Sequence, residues 1–190
     1  MISLIGLPGS GKSTVGRQLA RRLGLVFVDS DVEIERRLGC SIREYFEREG
    51  EDNFRDVEQT TISELLENSI SGSFNSVAAL VLSTGGGSVI RSTNRRILRL
   101  NGQVVYLHSQ PDDIIKRLRH DRNRPLLQVG DPLQRLRDLY TVRDPLYRET
   151  AHFVVETGRP SVATLVNMIV KQLEVSGSLP SKSASESSPR

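Results

Sequence analysis

Residues 6–13 read Gly6-Leu7-Pro8-Gly9-Ser10-Gly11-Lys12-Ser13 and match the pattern G-x-x-x-x-G-K-[ST]. An apolar run, Ile2–Ile5, precedes this stretch, and an amphipathic pattern, Lys12–Leu23, follows it. Glycines let the backbone curl until successive N–H groups face phosphate oxygens, and the following helix adds the positive end of its dipole. The stretch therefore predicts a nucleoside triphosphate site rather than a plain glycine-rich turn, but it does not identify what receives the phosphate.

Individual residues of this phosphate loop have distinct expected roles. Lys12 would reach the β- and γ-phosphates, and the Ser13 hydroxyl would ligate Mg²⁺, which bridges those phosphates. The expected contacts to ATP come from Gly9, Ser10, Gly11, Lys12, Ser13 and Thr14.

Short apolar runs alternate with amphipathic stretches along the rest of the chain. Runs that are apolar on both faces suit a buried parallel sheet, and β-α alternation places crossover helices on both sides of it. The predicted strands are 2–5, 25–28, 77–82, 104–107 and 153–155. The predicted helices are 12–23, 32–38, 42–49, 52–67, 93–100, 112–119, 133–140 and 162–173, with a capping box of Ser41 and Glu44 before the third.

Length and composition limit the class of protein. With 190 residues, 37% hydrophobic and 26% charged, we expect one domain over residues 1–175. Cys40 is the only cysteine, which excludes an intramolecular disulfide and a cysteine-based zinc cluster. Because no apolar run is long enough to cross a bilayer and no leader pattern opens the chain, we expect a cytoplasmic protein with no membrane partner.

Charge is unevenly distributed along the chain. Residues 29–67 hold 13 acidic and 5 basic side chains, whereas residues 91–148 hold 13 basic and 6 acidic ones. The basic half has few aromatic residues to stack bases and no zinc-finger or RNA-recognition pattern, so a site for small polyanions explains it better than nucleic acid does.

Two segments depart from the regular alternation. Residues 120–132 combine arginines, a glycine and two prolines, as expected for a mobile loop. Residues 176–190 are rich in serine and poor in apolar side chains, so we expect a disordered tail there.

Two further motifs should lie near the phosphate loop, because ligands gather at the carboxyl ends of parallel strands. Asp29-Ser30-Asp31 ends the second strand; we expect Asp29 on the metal side and Asp31 near an acceptor hydroxyl. An alternative role for either carboxylate is a helix N-cap, and both roles can hold for one residue. Gly85-Gly86-Gly87 follows the third strand and either lets a ligand approach the backbone or forms a flexible turn.

Taken together, the ordered motifs resemble shikimate kinase from about residue 2 to about residue 173. The resemblance rests on residues 6–14, Asp29-Ser30-Asp31, Gly50-Glu51, Phe54-Arg55, Glu58, Gly85-Gly86-Gly87, Arg124-Pro125-Leu126-Leu127, Arg143 and Pro145-Leu146-Tyr147. It implies a five-stranded parallel sheet, a substrate-binding helical segment and a lid, at about residues 120–132, that closes over ATP. It also implies transfer of the γ-phosphate of ATP to the 3-hydroxyl of shikimate.

The resemblance also implies roles for particular residues. Asp31, Arg55, Gly85, Gly86 and Arg143 would hold shikimate, with Asp31 as the base for its 3-hydroxyl. Planar guanidinium forks suit the carboxylate of this substrate, although surface solvation is the alternative for both arginines.

On the nucleotide side, Arg124 in the lid would reach the transferring phosphate, and Arg117 would stack against adenine. Arg159 is a further expected nucleotide contact, although Pro160 stands where some relatives have a basic residue. Glu58 would orient Arg55 unless it is simply solvated.

Two other functions are compatible with the sequence. One is a gluconate kinase-like enzyme of the same fold, and the other is a non-catalytic nucleotide-binding paralogue. The second is disfavoured because Lys12, Asp31 and Arg124 are all present. We expect a monomer.

Overall fold

The structure, a computed structural model, describes residues 1–70, 80–118 and 131–179. Within these ranges, five strands form one sheet that seven helices flank. The elements are β1 Ile2–Ile5, α1 Lys12–Leu23, β2 Val26–Asp29, α2 Ser30–Leu38, α3 Ile42–Ile70, β3 Leu80–Ser83, α4 Ser92–Leu100, β4 Gln103–His108, α5 Pro111–Leu118, α6 Pro132–Thr150, β5 Phe153–Glu156 and α7 Val162–Val175.

All neighbouring strands pair in parallel, in the order β2-β3-β1-β4-β5. In the central strand, Ile2 lies opposite Val81 of β3 and Gln103 of β4. The predicted α/β fold with a five-stranded parallel sheet is therefore confirmed. Because the strands all point the same way, the loops that follow them meet along one edge of the sheet.

The sheet separates two hydrophobic clusters. Side chains alternate along β1, so Ile5 joins one cluster while Leu4 joins the other. The first cluster includes Ile62 of α3 and Tyr147 of α6, and the second includes α1 and α7. Burial on both faces explains why the strands are apolar runs rather than alternating patterns.

Most element bounds agree with the sequence prediction to within one or two residues. Helix α1 begins and ends where predicted, and the Ser41–Glu44 capping box is present, with backbone N to side-chain oxygen distances of 2.8 and 3.2 Å. The two helices predicted around Gly50 form one element, α3, with non-helical backbone at Gly50 (φ 81°, ψ 174°). A left-handed φ there is tolerated because glycine lacks a Cβ.

Helix α6 is longer than predicted and the tail begins later. We predicted a helix over 133–140, but α6 continues through Pro145 to Thr150 and so carries Arg143. Buried packing of Tyr147 and Thr150 outweighs the hydrogen bond that Pro145 cannot donate.

The predicted tail is wrong for residues 176–179, because Leu179 donates from its N–H to Leu173 O at 3.2 Å and packs on the second cluster. The rest of that tail lies outside the described residues, as do residues 77–79 of the third predicted strand.

Over the three described ranges, no helix is both long enough and apolar enough to cross a membrane.

Candidate active site

The phosphate loop joins β1 to α1 at the carboxyl edge of the sheet. A cavity of about 70 Å³ opens at the start of α1, and it is lined by Gly9, Gly11, Lys12, Ser13 and Thr14. Gly9 has φ 82°, and a Cβ on it would come within 2.8 Å of Ile114 Cγ2, so both backbone and space require glycine. Ser10, also predicted to contact ATP, is buried within the loop.

Lys12 is held across this loop. Its ammonium group donates to the carbonyl oxygens of Gly6 and Leu7, each at 2.9 Å, and the side chain is buried. A buried positive charge beside a small cavity lined by backbone is suited to polyphosphate oxygens.

Ser13 and Asp29 form the predicted metal-side pair. The Ser13 hydroxyl donates to Asp29 Oδ2 at 2.6 Å, while Asp29 Oδ1 accepts from the Asp31 N–H at 3.1 Å. Asp29 is therefore the N-cap of α2 and also faces the phosphate loop, so the alternative role and the predicted placement hold together.

The oxygen donors of this pair fit Mg²⁺. Magnesium usually binds one or two protein oxygens together with phosphates and water, rather than a cage built of protein side chains. The described part of the chain contains no cluster of three or more His, Cys, Asp or Glu side chains that could hold a metal ion. Ser13 and Asp29 thus suit an ion that arrives with the nucleotide.

Asp31 lies in the first turn of α2 and has a strongly perturbed pKa. Burial and the nearby charge of Asp29 raise the pKa of Asp31 to about 6, while the positive charge of Lys12 opposes the shift. The charge of Lys12 in the phosphate loop therefore acts on the Asp31 carboxyl. A carboxylate with a pKa near 6 is suited to accept a proton at neutral pH.

The glycine triplet connects the phosphate loop to the acidic residues. A Cβ on Gly85 would lie 2.5 Å from Asp31 Oδ1 and 3.0 Å from Glu58 Oε1. A Cβ on Gly86 would lie 2.7 Å from Pro8 Cδ in the phosphate loop. The triplet is therefore a close-packed turn between the phosphate loop and the acidic residues.

Arg55 is held on α3 by two glutamates. Its Nη1 donates to Glu58 at 2.7 Å, and its Nη2 donates to Glu51 at 2.9 Å. Burial raises the pKa of Glu58, although the positive charges of Arg55 and Arg143 act in the opposite direction. Glu58 is 1% exposed, so the interpretation of Glu58 as a solvated side chain is wrong.

Arg143 reaches this pocket from α6. It is half-buried, and its charge acts on Glu58 and on the hydroxyl of Tyr147 one turn later. Tyr147 in turn donates to Gly86 O at 2.5 Å. The sequence placed Tyr147 in a motif without assigning it a role; its spacing of four residues from Arg143 is the signal that could have linked the two.

The nucleotide-side arginines are less tightly grouped. Arg117 Nη2 donates to Ser109 Oγ at 2.9 Å and lies 3.4 Å from Thr157 Oγ1, so it spans the carboxyl ends of β4 and β5. Burial lowers the pKa of Arg117. Arg159 is exposed in the turn after β5.

The predicted lid lies almost entirely outside the described residues, and Arg124 lies there too. Its last two predicted residues belong to α6 instead. Asp131 is the N-cap and accepts from Gln134 N at 2.9 Å, and Pro132 is the first helical residue, where its missing N–H costs nothing.

Comparison with known proteins gives one consistent family. The family model for shikimate kinase matches residues 8–174. A shikimate kinase of Paracidovorax citrulli is 58% identical over 180 residues, which cover 94% of this chain and 94% of that protein.

Solved structures agree with the sequence comparison. Shikimate kinase from Acinetobacter baumannii in complex with shikimate has a TM-score of 0.81 at 46% identity, with 94% of each chain covered. A gluconokinase from Sinorhizobium meliloti has a TM-score of 0.51 at 17% identity, with 92% of this chain and 95% of that one covered. The second likeness concerns the fold alone.

Proposed function

The chain belongs to the shikimate kinase family, and from that membership we propose that it transfers the γ-phosphate of ATP to the 3-hydroxyl of shikimate. The products are shikimate 3-phosphate and ADP, in the pathway to chorismate and the aromatic amino acids. The observation that supports this function best is the glycine triplet, which packs against Pro8 of the phosphate loop on one side and against Asp31 and Glu58 on the other. Donor and acceptor sites thus open onto one cleft.

On the donor side, the nucleotide phosphates would occupy the cavity lined by Gly9, Gly11, Lys12, Ser13 and Thr14. The buried Lys12 ammonium would exchange its loop carbonyls for β- and γ-phosphate oxygens. Ser13 and Asp29 would hold Mg²⁺, Asp29 through water, and the bound ion would offset phosphate charge during transfer. Arg117 and Arg159 would contact the adenine side.

On the acceptor side, Asp31 is the proposed general base. Its carboxylate takes the proton of the 3-hydroxyl as that oxygen bonds to the γ-phosphorus, and the bond from the γ-phosphorus to the β–γ bridging oxygen breaks. ADP leaves with the electron pair of that bond. The raised pKa of Asp31 matches its proton affinity to this task near neutral pH.

The carboxylate of shikimate is the proposed partner of Arg55 and Arg143. Glu58 holds Arg55 by one nitrogen, which fixes the guanidinium plane beside Gly87. Gly85 and Gly86 would let the ring of the acceptor approach the backbone. Arg124 would contact the transferring phosphate when the lid closes, and closure would exclude water as a competing acceptor.

A single assay tests the acceptor. The full chain, supplied with ATP and Mg²⁺, is assayed for ADP release with shikimate, gluconate and nucleoside monophosphates. We expect turnover with shikimate alone. Comparable turnover with gluconate would favour the gluconate kinase-like alternative, and no ADP release with any acceptor would favour the non-catalytic one.

A pair of lysine variants controls for the donor site. Lys12→Ala should abolish ADP release, because it removes the charge that meets the phosphates. Lys171→Ala, at an exposed position of α7, should leave ADP release unchanged. Omission of Mg²⁺ should abolish turnover as well.

We also propose a cytoplasmic, monomeric protein with no nucleic-acid partner. Sedimentation at assay concentration tests the monomer, and a shift to the mass of a dimer would contradict it.

A further inference from the structure

The hydroxyl of Tyr147 connects two walls of the acceptor pocket. It donates to Gly86 O at 2.5 Å, and the charge of Arg143 acts on it. The Tyr147 ring is fully buried and packs on Tyr106, with 4.9 Å between ring centroids. A buried phenol, fixed by its ring packing, therefore holds a backbone carbonyl of the glycine triplet.

The Gly86 carbonyl differs from its neighbours in how it is held. Gly85 O accepts from Ser88 N at 3.1 Å and Gly87 O accepts from Ile90 N at 3.0 Å, so both bonds stay within the turn. In residues 80–118 and 131–150 as described, the Tyr147 bond is the one hydrogen bond between the glycine triplet and α6. The Tyr147 hydroxyl is thus the hydrogen-bonded link between the Gly86 carbonyl and α6.

The same bond sets the direction of a backbone donor. A trans peptide points its C=O and its N–H in opposite directions, so a carbonyl of Gly86 aimed at Tyr147 directs the Gly87 N–H away from Tyr147. Gly87 lies directly against the guanidinium of Arg55. Among the described residues, the N–H groups of Gly86 and Gly87 have no hydrogen-bond acceptor. They are therefore available to an anion beside Arg55.

A peptide between two glycines needs such an external restraint. Glycine has no side chain to pack and accepts φ values of either sign, so rotation of the Gly86–Gly87 peptide costs little. Nothing in the turn itself holds the Gly86 carbonyl.

We propose that Tyr147 is a positioning residue for the acceptor carboxylate, which it serves by fixing the Gly86–Gly87 peptide toward this anion. The proposal rests on the proposed function, because it names the carboxylate of shikimate as that anion. Tyr147 itself does not touch the substrate.

The test is Tyr147→Phe in the full chain, which removes the hydroxyl and keeps the ring. We expect the KM for shikimate to rise about 5- to 20-fold, on the scale of one buried hydrogen bond, with kcat within about twofold and the KM for ATP unchanged. An unchanged KM for shikimate would overturn the proposal, and so would an equal rise in both KM values.

Tyr106→Phe is the matched control. It removes another hydroxyl from the same cluster, one that donates to Asp144 at 2.9 Å and does not contact the glycine triplet. The KM for shikimate should stay within about twofold of the wild-type value. A rise equal to that of Tyr147→Phe would show general loosening of α6 and would overturn the proposal.

A measurement on the wild-type chain keeps the proposal testable if Tyr147→Phe does not fold. With glycine-selective ¹⁵N labelling, shikimate should shift the amide signals of Gly86 and Gly87, whereas its methyl ester, which lacks the anion, should shift them much less. Equal shifts with both compounds, or none with shikimate, would overturn the proposal. ADP release by the wild type with shikimate reports separately on the proposed function.

Discussion

Arg55 and Glu58 form an ion pair of 2.7 Å that is buried in the wall of the acceptor pocket, one helical turn apart on α3. Burial destabilises the charged form of Glu58 and so raises its pKa. The positive charge of Arg55 makes the largest opposing contribution. Among the described residues, the other hydrogen bonds of the Arg55 guanidinium are to Glu51, whose side chain is 59% exposed. Orientation of Arg55 thus depends mainly on Glu58.

Replacement of Glu58 by alanine should affect both stability and acceptor binding. A buried guanidinium that loses its partner is costly, so we expect the free energy of unfolding to fall by about 2 to 4 kcal/mol. The KM for shikimate should rise about tenfold, because Arg55 is no longer held in one plane. Urea unfolding and steady-state kinetics measure these two effects.

Glu47→Ala provides the control, since Glu47 pairs with Arg43 on the exposed surface of the same helix. Exposed ion pairs contribute little, so stability and KM should change much less. Equal effects in the two variants would contradict the special role of Glu58.

Replacement of Asp31 by asparagine should lower the turnover rate while leaving nucleotide binding nearly unchanged. We expect kcat to fall by about 10²-fold or more through loss of the general base, with ATP affinity within about threefold of wild type. Asp138→Asn, on the exposed surface of α6, should leave kcat unchanged. Turnover near the wild-type rate in Asp31→Asn would remove Asp31 from the catalytic role.

The pKa of Asp31 also predicts how stability depends on pH. Burial raises it from 3.8 to about 6, so the folded state binds the proton more tightly than the unfolded chain does. Between about pH 4 and pH 6 the free energy of unfolding therefore falls as pH rises, and it stays lower above that range.

Asp31→Asn should consequently be more stable than wild type at pH 7.5, by about 1 to 3 kcal/mol, and close to wild type at pH 4. Urea unfolding of both proteins at the two pH values measures this. A stability difference that is the same at both pH values would contradict the raised pKa. In the same way, kcat of the wild type should fall below about pH 6, where the base becomes protonated.

The elements and residues whose positions follow from local sequence patterns were predictable from the sequence. The phosphate loop and α1 follow from glycine spacing and apolar periodicity, and Asp29 and Asp31 follow from their place after a strand. These residues lie at the same edge of the sheet because all of its strands run parallel.

The features that the sequence did not predict depend on contacts between distant segments. Pro145 predicts an end to α6, yet the helix continues because Tyr147 and Thr150 are buried against the sheet. The link from Tyr147 to Gly86 spans 61 positions and no local pattern encodes it. Likewise, the ordering of residues 176–179 comes from packing of Leu179 on the second cluster.

Replacement of Arg143 by alanine tests the other arm of the carboxylate site. Arg143 is half-buried, and its charge acts on Glu58, the partner of Arg55. Loss of a buried partner of a carboxylate costs roughly 2 to 5 kcal/mol, which corresponds to a rise of about 30-fold or more in the KM for shikimate. The KM for ATP should change little.

Two further variants of α6 sharpen this result. Arg143→Lys keeps the charge but not the planar fork, so it should recover only part of the lost affinity. Arg148→Ala removes an exposed arginine that pairs with Asp144 at 2.8 Å, and its KM for shikimate should match the wild type. If Arg143→Ala and Arg148→Ala raised that KM equally, the effect would come from the charge of α6 as a whole, and the assignment of Arg143 to the substrate carboxylate would be wrong.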